Sequence, residues 1–196
     1  MDYVERLNEF FNPDLLRQKL ITASIYIAVY ENFKSSIVDN VKYFYWSGFE
    51  DGKEQFEEYE KKVLSRVESK KNRQIRATLL WYKEQDAIAE QDIEKFKEMT
   101  DMRNMLGHDL FNRVIEGLPE NIYENYIEMI ELFEKITKWW IKEIEIPTSS
   151  EIKPEQYDAI NWDEVTSVNL EFIKIMTDIV FTGNEEYSEY FKQAKQ

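Results

Sequence analysis

Between Leu16 and Phe33 apolar side chains recur every three or four residues: Leu16, Leu20, Ala23, Ile27 and Tyr30 form one stripe, and Ile21, Ile25, Val29 and Phe33 the stripe beside it. That is the period of an α-helix, and two adjoining stripes make an apolar surface too wide for a helix at the edge of a fold. Other helices are expected to pack around it. Little elsewhere breaks such a pattern, because the 196-residue chain holds only five glycines and four prolines, less than half the roughly 12% usual in proteins. A many-turned β protein needs more punctuation than that. The expected class is all-α, an antiparallel helical bundle. With 43% apolar and 15% aromatic residues, there is enough apolar surface to offset the entropy of ordering the chain.

The helices can be placed in outline. Asn12 can cap and Pro13 suits a first helical position, which starts the long helix that runs to about Trp46. Gly48, Asp51 and Gly52 break it, and a charged helix is predicted over 53–68, continuing or restarting near Asn72 through Ala89. The next helix spans 91–116 and stops at Gly117-Leu118-Pro119, a glycine exit and a proline entry that read as a tight helical hairpin. Its second arm, 120–144, is expected to have Tyr123, Tyr126, Ile127, Ile130, Phe133, Trp140 and Ile141 on the buried side and Glu120, Glu124, Glu128 and Glu131 on a solvated face. Pro147 to Pro154 is the longest unpatterned stretch, so three parts are expected: a helical domain over 12–144, a linker or surface loop over 145–162 and a C-terminal helical extension over 163–196. In that extension Asp163 is expected to cap a helix through Thr182, closed by Gly183, with a last short helix from Asn184.

Charge and composition narrow the chemistry. The formal charge is −14, which excludes a generally basic nucleic-acid coat. The average conceals a basic segment over 61–83, where Lys61, Lys62, Arg66, Lys70, Lys71, Arg73, Arg76 and Lys83 face one anion, Glu68, for a local +7. Backbone phosphates would find it attractive, and Trp81 and Tyr82 offer faces for stacking an unpaired base. With no cysteine, thiolate catalysis and cysteine metal sites are excluded. Met1 leads into Asp2, Glu5 and Arg6, and no apolar run approaches the roughly 18 residues of a membrane span, so a cytoplasmic address with no membrane partner is expected.

The chain has one histidine, which rules out metal sites built from two or more of its own histidines. Neither a metal nor a cofactor is expected. What remains is the stretch Arg103-Asn104-Met105-Leu106-Gly107-His108, inside the helix predicted over 91–116. It sets a permanent cation, a neutral amide and the one side chain that titrates near neutral pH within two turns. These are the parts of metal-independent phosphoryl chemistry. Histidine can take or give a proton at a ribose hydroxyl or leaving oxygen, and arginine can pair with the charge on a phosphorane. Asn104 lies four residues before His108, hence on the same face. Arg103 and His108, five apart, sit about 140° around an ideal helix, so they converge only through arginine reach, a distortion at Gly107 or a second subunit. Glu31 interrupts the apolar run Ile25 to Phe33, where a carboxylate that orients Arg103 or His108 would find its partner.

Arginine, a polar residue, a short gap and histidine on an inner helix of an all-α domain resembles the signature of the HEPN superfamily (higher eukaryotes and prokaryotes nucleotide-binding domains). The resemblance covers six residues. It implies a metal-independent endoribonuclease, of the kind found as toxins in toxin–antitoxin and abortive-infection systems, with Arg103 and His108 as the catalytic pair and Asn104 beside them. It also implies a homodimer whose two motifs face each other in one cleft, RNA as substrate, an antitoxin protein as partner, and 2′,3′-cyclic phosphate and 5′-hydroxyl ends. Lys61, Lys62, Arg66, Lys70, Lys71, Arg73 and Arg76 are the RNA-steering candidates. The alternative is a non-catalytic nucleotide-binding or protein-interaction module in which the motif is coincidental or degenerate.

Overall fold

Asn12 starts the longest helix as its composition suggests: its side-chain oxygen accepts the backbone N–H groups of Asp14 and Leu15, and Pro13 follows at the first helical position. In the computed structural model, which describes residues 10–150, 157 and 159–181, this helix is α1, Pro13–Phe44. A two-stranded hairpin, β1 Phe49–Glu50 with β2 Lys53–Glu54, comes next. Then follow α2 Glu57–Lys62, a 3-10 turn Leu64–Arg66, α3 Arg73–Glu84, α4 Glu90–Glu116, α5 Ile122–Trp140 and α6 Val168–Phe181. The described protein is therefore mostly helical, six helices packed on one another.

The segment predicted as a helix over 53–68 differs. Asp51 and Gly52 both take positive φ, 50° and 74°, as a tight two-residue hairpin loop requires. Phe49 pairs with Glu54 and Glu50 with Lys53, so Lys53 is in a strand and helix begins only at Glu57. Asn72, with φ of 52°, then breaks the chain again before α3. At the other end α5 runs on through a wide turn, Ile141–Glu145, to Ile146–Thr148, into what composition marks as linker.

α1 is the centre from Thr22 onward, while Leu20 and Ile21, one from each expected stripe, are exposed. Tyr26, Val29, Phe33 and Ile37 are buried among Leu79 and Tyr82 of α3, Phe96, Met99 and Leu106 of α4, and Met129, Phe133 and Ile136 of α5. Phe33 stacks on Phe133, and the Tyr26 hydroxyl bonds Asn125 Oδ1 and the Met99 carbonyl, so polar and apolar contacts bind the same three helices. α6 joins this core with Leu170 and Ile173. Ser167 Oγ, rather than Asp163, accepts from the first turn of α6, through the Leu170 N–H. Asn169 Nδ2 donates to Asn32 Oδ1 and Ser36 Oγ of α1 at 2.8 and 3.2 Å, and Lys174 pairs with Glu134 of α5 at 3.2 Å. Residues 1–9 and 182–196, including the turn at Gly183 and the last predicted helix, lie outside the described residues.

Trp81 and Tyr82 do not offer stacking faces. Both are buried, packed edge to face with Trp139, and Trp81 Nε1 donates to the Tyr45 hydroxyl. Their i,i+4 register with Ala77 and Thr78 places them on the core side of α3, where large rings bury most area. Among the described residues no helix is long and apolar enough to cross a membrane.

Candidate functional site

α4 carries the Arg103–His108 stretch on a helix with two unlike faces. Met99, Met102 and Leu106 are buried against α1, while Asp101, Asn104, Met105 and His108 are exposed. Asn104 and His108 thus stand one turn apart on a single outer ridge, as their spacing predicts.

Arg103 lies between the two faces. Its Nη2 meets Glu31 Oε1 of α1 at 2.5 Å, and its Nη1 donates to Asn104 Oδ1 at 3.3 Å. To reach them the side chain folds toward Gly107, where an added Cβ would stand 3.6 Å from Nη1. The same glutamate also takes the Lys34 ammonium at 3.4 Å through its other oxygen. Glu31 and Arg103 are 37% and 30% exposed, a setting in which an ion pair fixes geometry more than it adds stability. Arg103 Nε is shielded and without an acceptor, so the guanidinium is anchored by its two terminal nitrogens alone.

His108 is placed differently. It is exposed, and among the described residues it has neither a hydrogen-bond nor an ion-pair partner. One residue on, the helix is distorted: Asp109 has φ −126° and ψ 22°. Its carboxylate accepts the side chains of Asn112, Nδ2 at 2.6 Å, and Arg113, Nε at 3.0 Å, which ties the final turns of α4 together beyond the distortion. Those hydrogen bonds, Asn112 first and then Arg113, hold the Asp109 carboxyl below its ordinary value. The bend leaves Phe111 72% exposed beyond the histidine. The distortion therefore falls after Gly107 and not at it, and within one chain Arg103 and His108 share no bond.

Arg103 and Asn104 also line a cleft of about 690 Å³ between α1, α3 and α4. Five cations line it, Lys34, Lys71, Arg76, Lys97 and Arg103, against three carboxylates, Glu31, Glu94 and Asp101. His108 is not among the lining residues. At the back, the Thr100 hydroxyl donates to the Phe96 carbonyl at 2.9 Å, which leaves its oxygen to accept from the Tyr30 hydroxyl at 2.8 Å. Burial raises the Tyr30 phenol above its ordinary value, with the Thr100 hydrogen bond opposing, so this hydroxyl stays protonated and serves as a fixed dipole.

The basic segment divides once the chain is folded. Lys61 and Lys62 pair with Glu57 and Glu58 within α2, Arg66 grips Glu84, and Lys83 pairs with Glu90. Arg73 donates Nε to the Leu64 and Val67 carbonyls at 3.2 and 2.9 Å, closing the loop before α3. Lys70, Lys71 and Arg76 have no such partners among the described residues, and Lys71 and Arg76 line the cleft that holds Arg103. Sequence reasoning missed Lys34 and Lys97 as neighbours of this cleft. Lys34 stands one turn from Glu31, a spacing that could have singled it out.

Compared with protein-family models, curated proteins and solved structures, the chain matches none.

Proposed function

We propose that this protein is a metal-independent endoribonuclease of the HEPN type, built on an antiparallel helical bundle and acting as a homodimer. The observation that carries the reading is the Arg103 guanidinium, fixed at the rim of a basic cleft by Glu31 and by Asn104, whose ridge carries the exposed imidazole of His108 one turn further on. Cleavage follows from those groups. The ribose 2′-oxygen attacks the adjacent phosphorus while His108 takes its proton, Arg103 meets the charge growing on the phosphorane oxygens, and the 5′-oxygen leaves as a hydroxyl once protonated. The products are a 2′,3′-cyclic phosphate and a 5′-hydroxyl end. An imidazole on an open ridge lacks the enclosure such chemistry needs, and a second copy with its own ridge opposite supplies both the wall and a second histidine. A toxin of a toxin–antitoxin or phage-defence system, held in check by an antitoxin protein, is the setting this activity fits.

The test is RNA degradation in EDTA by the wild-type protein, His108→Ala and Arg103→Ala. Loss of cleavage of 100-fold or more in each variant, with folding intact by circular dichroism, is expected; cleavage that survives His108→Ala overturns the mechanism. A second reading, a non-catalytic nucleotide-binding or interaction module, is favoured by one observation: among the described residues His108 has no hydrogen-bond or ion-pair partner, and it does not line the cleft. It predicts ligand binding without turnover.

A further inference from the structure

The cations left over when the internal ion pairs are made are concentrated. Lys71 and Arg76, both without an ion-pair partner among the described residues, line the same cleft as Arg103. In a molecule of net charge −14, this is a place where five cations outnumber three carboxylates. Behind them the wall is apolar: Ile75 and Leu79 of α3 and Phe96 of α4 are buried and Ile93 is partly so. Asn72 and Asn104 bring amides to the rim. A second cleft, of about 540 Å³, shares Lys34, Asn72 and Ile75 with the first and is lined also by Lys70 and Arg73. The two clefts adjoin at these shared residues, by the start of α3, and make up a bent trough in which Asp39 is the one further carboxylate.

We infer that this trough is the track of an unpaired RNA strand, with the α1/α3/α4 cleft as a subsite for a single nucleotide whose base lies against Ile75, Leu79 and Ile93 and whose phosphate meets Lys71 and Arg76. The chemistry of the lining selects this ligand. Anion selection comes from cations that the fold leaves unneutralised, and guanidinium groups pair with phosphate in two parallel hydrogen bonds. An apolar wall with amides at its edge suits a flat heterocycle whose polar groups lie on its rim. A cleft of this volume holds one nucleotide, whereas a duplex presents its bases already stacked and cannot place one between α1 and α3. The charge and the base contact together imply a substrate that is single-stranded and read at one position beside the cleaved bond. The inference deepens the nuclease reading and rests on it for the identity of the strand as a substrate, but binding itself needs no turnover.

Binding is therefore measured with the full chain carrying His108→Ala, using fluorescein-labelled five-nucleotide homopolymers of A, C, G and U, a ten-base-pair RNA duplex and the corresponding nucleoside monophosphates, followed by anisotropy or competition. The single strands are expected to bind, with at least a fivefold spread among the four bases; monophosphates are expected to compete weakly and the duplex not at all. Lys71→Ala/Arg76→Ala should lose tenfold or more. The slope of log affinity against log salt should shrink by about 0.7, the share of the single phosphate that the pair neutralises. Lys138→Ala/Lys142→Ala removes the same charge outside both clefts and should change affinity less than twofold. Equal loss in the two double variants, equal binding of the duplex, or four bases bound alike would overturn the subsite. Selective binding in a protein whose wild type cleaves nothing keeps the subsite and discards the nuclease; cleavage that the Lys71/Arg76 variant leaves untouched does the reverse.

Discussion

Gly107 sits in the middle of a helix, where glycine is unfavourable relative to alanine by about 0.5–1 kcal/mol. Its φ is an ordinary helical one, and a Cβ there would meet the nearest atom, Arg103 Nη1, at 3.6 Å, an ordinary contact. Backbone conformation therefore does not require it. Gly107→Ala is expected to raise stability by about 0.5–1 kcal/mol and the thermal midpoint by about 1–4 °C, measurable by thermal unfolding. If cleavage falls at the same time, the glycine serves the path of Arg103 over the helix and not the fold. At this scale the sequence was informative for Arg103, Asn104, His108 and Glu31, because helical spacing sets which of them share a face. It was uninformative for the lysines and arginines of 61–83. Whether Arg66 is free depends on Glu84, eighteen residues away, and whether Trp81 faces a base depends on Trp139 in another helix.

Helix termini decide how the elements are cut. At the start of α4 the Asp92 carboxylate accepts the Ala89 N–H at 2.7 Å and the Lys135 ammonium of α5 at 2.6 Å, so one side chain both caps a helix and joins it to its neighbour. Burial alone would raise this carboxyl, but the hydrogen bonds from Lys135 and Ala89, with the charges of Lys135 and Lys95, outweigh it and hold the group below its ordinary value. A depressed carboxyl contributes stability that is present above the unfolded value, near 3.9, and is lost as pH falls through the folded one. Asp92→Asn is therefore expected to cost about 1–2 kcal/mol at pH 7, with the gap to wild type closing below about pH 4. Urea titrations at pH 7 and pH 3 check this; an equal gap at both would remove the charge from the account. The same kind of local chemistry explains the boundaries that differ from expectation. Asp51-Gly52 favours a two-residue hairpin over an early helix, and Ser167 lies one turn before the first buried leucine of α6, where Asp163 is a turn too early.

Over the whole molecule, composition suggests a helical domain and, past the unpatterned stretch after Ile144, a C-terminal helical extension. Packing ties the helix of that extension to the core of the domain. Leu170 is fully buried, and with Ile173 it belongs to the same core as Tyr26, Phe33 and Phe133, while Asn169 and Thr177 bond to α1 and α5. A linker's polarity reports only that its own residues are solvated; whether the helix beyond it returns to the core depends on the stripe Leu170, Ile173, Thr177, Val180, which repeats at three and four residues. Leu170→Ala should accordingly destabilise the entire protein by about 2–4 kcal/mol. The measurement is chemical denaturation followed both by tryptophan fluorescence and by far-ultraviolet circular dichroism. Three of the five tryptophans, Trp81, Trp139 and Trp140, belong to α3 and α5 and not to Leu170's own helix, so a shared core moves both signals together to a lower midpoint with unchanged slope. An early loss of helical signal that leaves the tryptophan transition in place would mean that α6 docks on a bundle able to stand without it.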